Sequence, residues 1–205
     1  MTEQFVGIFK QPEVPASRGK YLARVFGIFS EELVRIWSAD PRAPYEDLGR
    51  PTLRMAGAES GSTLDFTLRS RDTGKVYVAE MKCEIEYQDY RYLVLSEPQQ
   101  LAHHTKPAFA AFLAAAARSP DVHAYVSKKL VPIDGAILIW GATTPEGRTL
   151  VTARIGFAAV LTLGEIVKDL QSWESKPYYD LLAQRRQWSN ELYDALLGNV
   201  PRTDA

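Results

Sequence analysis

Two apolar runs carry the residues most suited to chemistry: Gly-Ser-Thr-Leu-Asp-Phe-Thr-Leu at 61–68 holds Asp65, and Val-Ala-Glu-Met-Lys at 78–82 holds Glu80 and Lys82. Strand interiors usually exclude such groups, because burying an unpaired charge is costly. Glu80 and Lys82 are two residues apart, so on a strand they point to one face. An even-length hairpin turn puts Asp65 on that face too, opposite or beside them, whereas a three-residue turn reverses the parity unless a bulge absorbs the extra residue. Two carboxylates and an ammonium gathered in this way suit a hard divalent cation. Asp65 and Glu80 supply oxygen ligands to Mg2+, which keeps several waters and takes further oxygens from a substrate phosphate. Lys82 then orients or helps deprotonate the attacking water and offsets charge developing on the phosphorane. That chemistry is phosphodiester hydrolysis. The same three residues also suit a plain cross-strand ion-pair cluster on a half-exposed sheet, which contributes little energy.

The surrounding pattern supplies elements to hold these groups. Residues 62–71 alternate apolar and polar, Asp72-Thr73-Gly74 forms a hairpin turn, and 75–83 alternate on the return. Upstream, Leu22, Val25, Phe26, Phe29, Leu33 and Ile36 predict an amphipathic helix over 18–37, stopped by Asp40-Pro41. A Pro-rich loop over 41–51 leads to a short strand at 52–56, while 84–96, rich in Tyr and acidic residues, has no clear assignment. Residues 97–118 read as helix, with Pro98 in the first turn and Pro107 kinking or splitting it. The run 134–140 predicts a strand buried on both faces. A turn at 144–147, a strand at 148–157 and helices at 163–173 and 177–197 follow. The expected organisation is an N-terminal arm at 1–17, one α/β domain at 18–197 and a tail at 198–205. Within the domain, an αβββαβ core at 18–141 with a mixed central sheet flanked by helices precedes a β–α–α extension at 142–197.

An aspartate followed, on the next strand, by Glu-x-Lys within an αβββαβ order resembles the PD-(D/E)XK nuclease superfamily, also called restriction-endonuclease-like. The resemblance spans roughly 18–141, with Leu64 where many members have proline. It implies that Asp65 and Glu80 bind Mg2+, with Mn2+ as a substitute, and that Lys82 takes part in water activation. The implied activity is metal-dependent hydrolysis of DNA in restriction, repair or defence. A second acidic-x-Lys triplet, Glu174-Ser175-Lys176, falls in an interhelical connection with no upstream aspartate and is expected to be a solvated turn.

Accessory candidates surround this core. Glu32 borders the first helix's apolar stripe and Glu59 lies in the turn before the Asp65 run; each is a candidate further metal ligand, and each also suits a solvated carboxylate. Gln100 and Lys106 are candidate substrate contacts. His103 and His104, adjacent on a helix, are expected to point in different directions and not to share a metal. Cys83 is expected to face the buried side, without the base or exposure that a catalytic thiol needs. No phosphate-cradling Gly-rich loop and no G-x-S-x-G elbow occurs in the sequence.

Composition bounds the partners. The 205 residues carry a net charge of −1 and a pI near 6.3, which excludes a dedicated nucleic-acid coat. Residues 91–130, however, hold five basic side chains against two acidic ones, so weak, metal-dependent and salt-sensitive engagement of DNA is expected. The single cysteine rules out an intramolecular disulfide and suits a reducing cytoplasm. No apolar run reaches the roughly 18 residues of a membrane span. The C-terminal extension suits completion of the sheet edge or a homodimer surface. Two other readings stay open: a non-catalytic protein of the same fold that binds nucleic acid or supports an assembly, and a small-molecule or interaction domain that mimics the motif.

Overall fold

The computed structural model describes residues 19–82 and 93–198. The expected arm at 1–17, Cys83, most of the Tyr-rich segment and the tail past residue 198 lie outside the described residues. Two compact units divide the chain, Met1–Lys168 and Asp169–Ala205.

The first unit is built on a mixed five-stranded sheet in the order β1(Tyr45–Asp47)–β4(Phe66–Ser70)–β5(Val76–Lys82)–β9(Ala136–Trp140)–β11(Ala159–Thr162). The β1–β4 and β4–β5 pairs are antiparallel, and the β5–β9 and β9–β11 pairs are parallel. A second, four-stranded sheet runs in the order β3(Ser62–Thr63)–β2(Pro51–Met55)–β7(Val122–Val126)–β8(Lys129–Val131). Short strands β6(Val94–Leu95) and β10(Ala142–Thr143) pair in parallel. Helix α1(Gly19–Ala39) ends just before Asp40-Pro41, as its sequence predicts, and buries Leu33, Val34 and Trp37.

The central sheet has two distinct faces. On one, Phe66 lies under α1, with the Arg35 guanidinium 5.2 Å from its ring centroid. On the other, Val78, Ala136, Leu138, Trp140 and Val160 form one core with Phe109 and Phe112 of α2(Pro107–Ala116) and with Leu53, Val122 and Ala124 of the second sheet. Strand β9 is buried along its whole length, as the continuous apolar run predicts.

Several expectations are corrected. The strand expected at 52–56 exists as β2 but belongs to the second sheet; the first central strand, β1, lies inside the expected Pro-rich loop. The strand expected over 62–71 is two strands in two sheets, broken at Leu64-Asp65. Pro107 splits the helix expected over 97–118, one of the two outcomes expected of it, and starts α2 after a separate 3₁₀ turn at Pro98–Leu101. Strands β7 and β8 fill a stretch with no sequence assignment. The strand expected at 148–157 is helix α3(Pro145–Ile155), and the strands of the extension are the short β10 before it and β11 after it. Thr144 caps that helix by accepting a hydrogen bond from Gly147 N at 2.9 Å, and Pro145 occupies the first turn, where its missing N–H costs nothing. A sequence that reads as a turn plus a strand is here a helix start.

Gly147 is required by close approach. A Cβ on it would lie 2.5 Å from Leu95 O and 2.6 Å from Ser96 Cα, both backbone atoms that cannot swing aside. Gly147→Ala is therefore expected to cost about 1–3 kcal/mol, the usual penalty for overpacking, read as a lower urea midpoint at unchanged slope.

Helix α4(Leu163–Ser172) leads into the second unit. Helix α5(Lys176–Leu196) begins after Ser175, whose N–H donates to Leu170 O at 3.0 Å, and Lys176 pairs with Asp180 one turn on. The Glu174-Ser175-Lys176 triplet is thus an interhelical turn, with Glu174 at φ 49. Trp188, Leu192 and Leu196 are exposed on α5. Among the described residues no helix is long and apolar enough to cross a membrane.

Candidate active site

The break between the two sheets positions the site. The chain leaves β3, where Leu64 N donates to Pro51 O at 3.0 Å, and enters β4 one residue after Asp65. The β4–β5 register pairs Phe66 with Ala79 and Thr67 with Val78, so one further step brings Asp65 to the level of Glu80. The turn parity is even: Ser70 N donates to Lys75 O at 2.8 Å, leaving four residues between them; Glu80 and Lys82 share one side of the sheet, and Asp65 lies in the bend just before β4.

Each side chain has specific partners. Asp65 Oδ2 accepts from Met81 N at 2.9 Å, and its Oδ1 lies 3.5 Å from Arg50 Nη2. Lys82 Nζ donates to Glu80 Oε1 at 2.6 Å. Glu80 is 7% exposed, and its other oxygen, Oε2, is buried without a hydrogen-bond donor among the described residues. Burial pushes the Glu80 carboxyl above the usual carboxylate range; the Asp65 charge adds to this, and Lys82 and the Asp65 backbone oppose it.

A cavity of about 380 Å³ opens beside Glu80 and Lys82, walled by His103, His104, Thr105, Lys106, Ala108 and Phe109. Asp65 is not in its lining. His103 and His104 are not helical; they occupy the turn between the 3₁₀ segment and α2, with ring centroids 3.9 Å apart. The expectation that their rings point apart is thereby corrected: outside a helix the 100° step between neighbours does not apply. Burial, then His103 and the Lys82 and Lys106 ammonium groups, hold the His104 imidazole down to about 3, so it is neutral at physiological pH. The clue in the sequence is Pro107, which as a first-turn residue places both histidines before the helix rather than in it.

The other candidates lie apart from this arrangement, except Lys106. Lys106 lines the cavity just before α2. Gln100 is buried and holds its own loop: its Oε1 accepts from Ser96 N, Ser96 Oγ and Glu97 N, and its Nε2 donates to Val94 O. Glu32 is half-buried on α1 and Glu59 is exposed in the turn before β3; neither lines the cavity. Among the described residues no group of three or more His, Cys, Asp or Glu is placed to hold a metal. A larger cavity, about 560 Å³, lies around Lys75, Tyr77 and Arg118 at the start of β5 and contains none of the three motif residues.

Two carboxylates are enough for Mg2+ when waters and a substrate phosphate complete its shell. The donor-less Glu80 Oε2 fits that use, since a buried acceptor without a donor is satisfied by either a proton or a cation. The pH dependence follows from the raised Glu80 pKa. The protonated carboxyl is the form the fold prefers, so its stabilising contribution is complete below the unfolded value near 4.5 and is lost as the pH rises through the higher folded value. In EDTA, the neutral Glu80→Gln variant is expected to show a flatter decline in melting temperature than the parent between about pH 4 and 8.

Comparison of the chain with protein-family models, with curated proteins and with solved structures found no match.

Proposed function

We propose that this chain is a Mg2+-dependent nuclease that hydrolyses DNA phosphodiester bonds, with a PD-(D/E)XK-like site formed by Asp65, Glu80 and Lys82. The observation that carries this reading is the buried Glu80 Oε2, left without a donor while the Asp65 carboxylate, bound to Met81 N, lies near and Lys82 holds the other oxygen at 2.6 Å. In a fully satisfied ion-pair cluster both carboxylate oxygens have donors, whereas here Oε2 takes either a cation or a proton. The helix–strand–strand–strand–helix–strand order along α1, β1, β4, β5, α2 and β9, with the four strands in one mixed sheet, also supports it.

Asp65 and Glu80 would hold the ion, which when bound polarises the phosphoryl oxygens and lowers the pKa of a coordinated water. Lys82 Nζ, fixed by Glu80, presents its remaining N–H bonds to the attacking water or to a phosphoryl oxygen and offsets the added negative charge. Lys106 adds a second ammonium to the cavity wall, and the neutral His104 adds bulk without charge. A cavity with two cations beside one carboxylate suits a phosphodiester monoanion better than a neutral ligand.

The test is calorimetric titration of the chain with Mg2+ and Mn2+, coupled to cleavage of plasmid and single-stranded DNA. The reading expects binding of both ions, loss of that binding in Asp65→Asn, and cleavage that stops in EDTA. A chain that binds neither ion contains an ion-pair cluster, and the non-catalytic reading of the fold replaces this one.

A further inference from the structure

The outer face of the second sheet concentrates cations. Strands β2 and β7 set Thr52 opposite Tyr125 and Arg54 opposite His123, and β7 and β8 set Tyr125 opposite Leu130. Leu53, Val122 and Ala124, at the alternate positions, are buried in the core, so Thr52, Arg54, His123, Tyr125 and Leu130 look outward. None of these outward positions is acidic.

A groove of about 520 Å³ lies here, lined by Arg50, Thr52, Arg54, Tyr125, Ser127 and Lys128. The Arg54 guanidinium sits 5.3 Å from the Tyr125 ring centroid, a stacking that holds its fork of N–H donors in place. Among the described residues neither Arg54 nor Lys128 has an ion-pair partner. Ser127 and Lys128 form the two-residue β7–β8 turn with φ of 49° and 67°, which fixes the Lys128 backbone at the groove's end. Arg50 belongs to both regions: it lines the groove, and its Nη2 lies 3.5 Å from Asp65 Oδ1.

We propose that this groove seats a single strand of DNA leading to the Asp65–Glu80 site, with phosphates on Arg50, Arg54 and Lys128 and a base against Tyr125. The destination rests on the nuclease reading; the groove itself does not. A duplex offers such a surface only its sugar-phosphate exterior, for which cations suffice. An aromatic ring set among the cations matches the apolar face of an unstacked base.

The experiment is fluorescence anisotropy of the full chain with a labelled oligothymidylate of about 20 nucleotides, in EDTA so that nothing is cut. Arg54→Gln combined with Lys128→Asn, the latter suited to a left-handed turn position, is expected to weaken binding about tenfold or more. The slope of log affinity against log salt should fall by about 1.4, the value for two single-strand phosphate contacts. Tyr125→Ala is expected to weaken binding about five- to tenfold. Lys75→Gln, at the far end of the β5 strand, is the control and should change affinity less than about twofold. The inference is overturned if the chain does not bind the strand, if the double variant binds like the parent, if Lys75→Gln weakens binding as much, or if a duplex of equal length binds more tightly. A chain that binds the strand through Arg54 and Lys128 but cuts nothing with Mg2+ removes the nuclease reading and leaves this one. Cleavage by a chain whose double variant still binds normally does the reverse.

Discussion

Lys82→Ala is expected to lower the single-turnover rate of Mg2+-dependent DNA cleavage by about 10²–10⁴-fold, with Asp65→Ala at least as severe. Lys82 is fixed from three directions. Its backbone is in register with Trp140 of β9, its ammonium is bound to Glu80 Oε1 at 2.6 Å, and it forms part of the cavity wall. Its removal takes away the donor that would steady the attacking water. It also removes the charge that opposes burial and Asp65 in setting the Glu80 pKa, so the carboxyl of Glu80 moves further up and competes for a proton where it should hold the ion. The loss should therefore be larger at pH 6 than at pH 8, a trend of roughly several-fold that a purely structural lysine would not produce. Lys82→Arg keeps the charge but not the compact ammonium, and should restore Mg2+ binding without restoring the full rate. The measurement is plasmid nicking under single-turnover conditions, with melting temperatures confirming that each variant is folded. Cleavage retained by both the Lys82 and the Asp65 alanine variants would sink the assignment.

The largest stability effect is expected at Trp140. It is fully buried, ends strand β9 of the five-stranded sheet, and stands between Lys82 on β5 and Thr162 on β11. Its ring meets that of His104 edge-on, with centroids 6.3 Å apart, so it packs both into the core and behind the cavity wall. Trp140→Ala should cost about 3–5 kcal/mol, through lost burial and the void left behind, read from the urea midpoint. Because a domain holds only about 5–15 kcal/mol in total, this variant approaches the limit of folding, and Trp140→Phe, which keeps most of the volume, provides the tractable companion. That substitution should retain most of the stability yet reduce cleavage, since the smaller ring loosens the support of His104 and of the strand carrying Lys82. A cleavage rate unchanged in Trp140→Phe would show that this wall does not position the site.

The sequence-readable parts of the fold are those whose signal is local. Helix α1 shows its apolar stripe and its Asp40-Pro41 stop, β9 shows a continuous apolar run, and the hairpin shows alternation on both sides of Asp72-Thr73-Gly74. The errors have equally physical origins. Helix α3 mixes apolar and polar residues without a strong one-sided stripe, so Thr144-Pro145 reads as a turn when it is a cap followed by a first-turn proline. Strand β1 is three residues long and follows prolines, too short for periodicity to register. The run over 62–71 alternates without interruption, and nothing in its pattern marks the step at Leu64-Asp65 where the chain changes sheets. That step depends on partners distant in sequence: β2 on one side and β5 on the other.

By itself, then, the sequence determined which residues bear charge inside apolar strands, and that Glu80 and Lys82 share a face, because a strand's two-residue period is a local property. Tertiary structure alone decided that Asp65 reaches the end of β5, where its carboxylate accepts from Met81 N, since register depends on the loop that closes the hairpin and on the sheet each segment joins. It alone decided that His103 and His104 turn together into the cavity while Gln100 is spent on its own loop, because the split at Pro107 changes where each side chain points. The burial that leaves Glu80 Oε2 without a donor is also a property of the packed molecule: α2 and the second sheet cover a face whose local pattern does not reveal what lies above it.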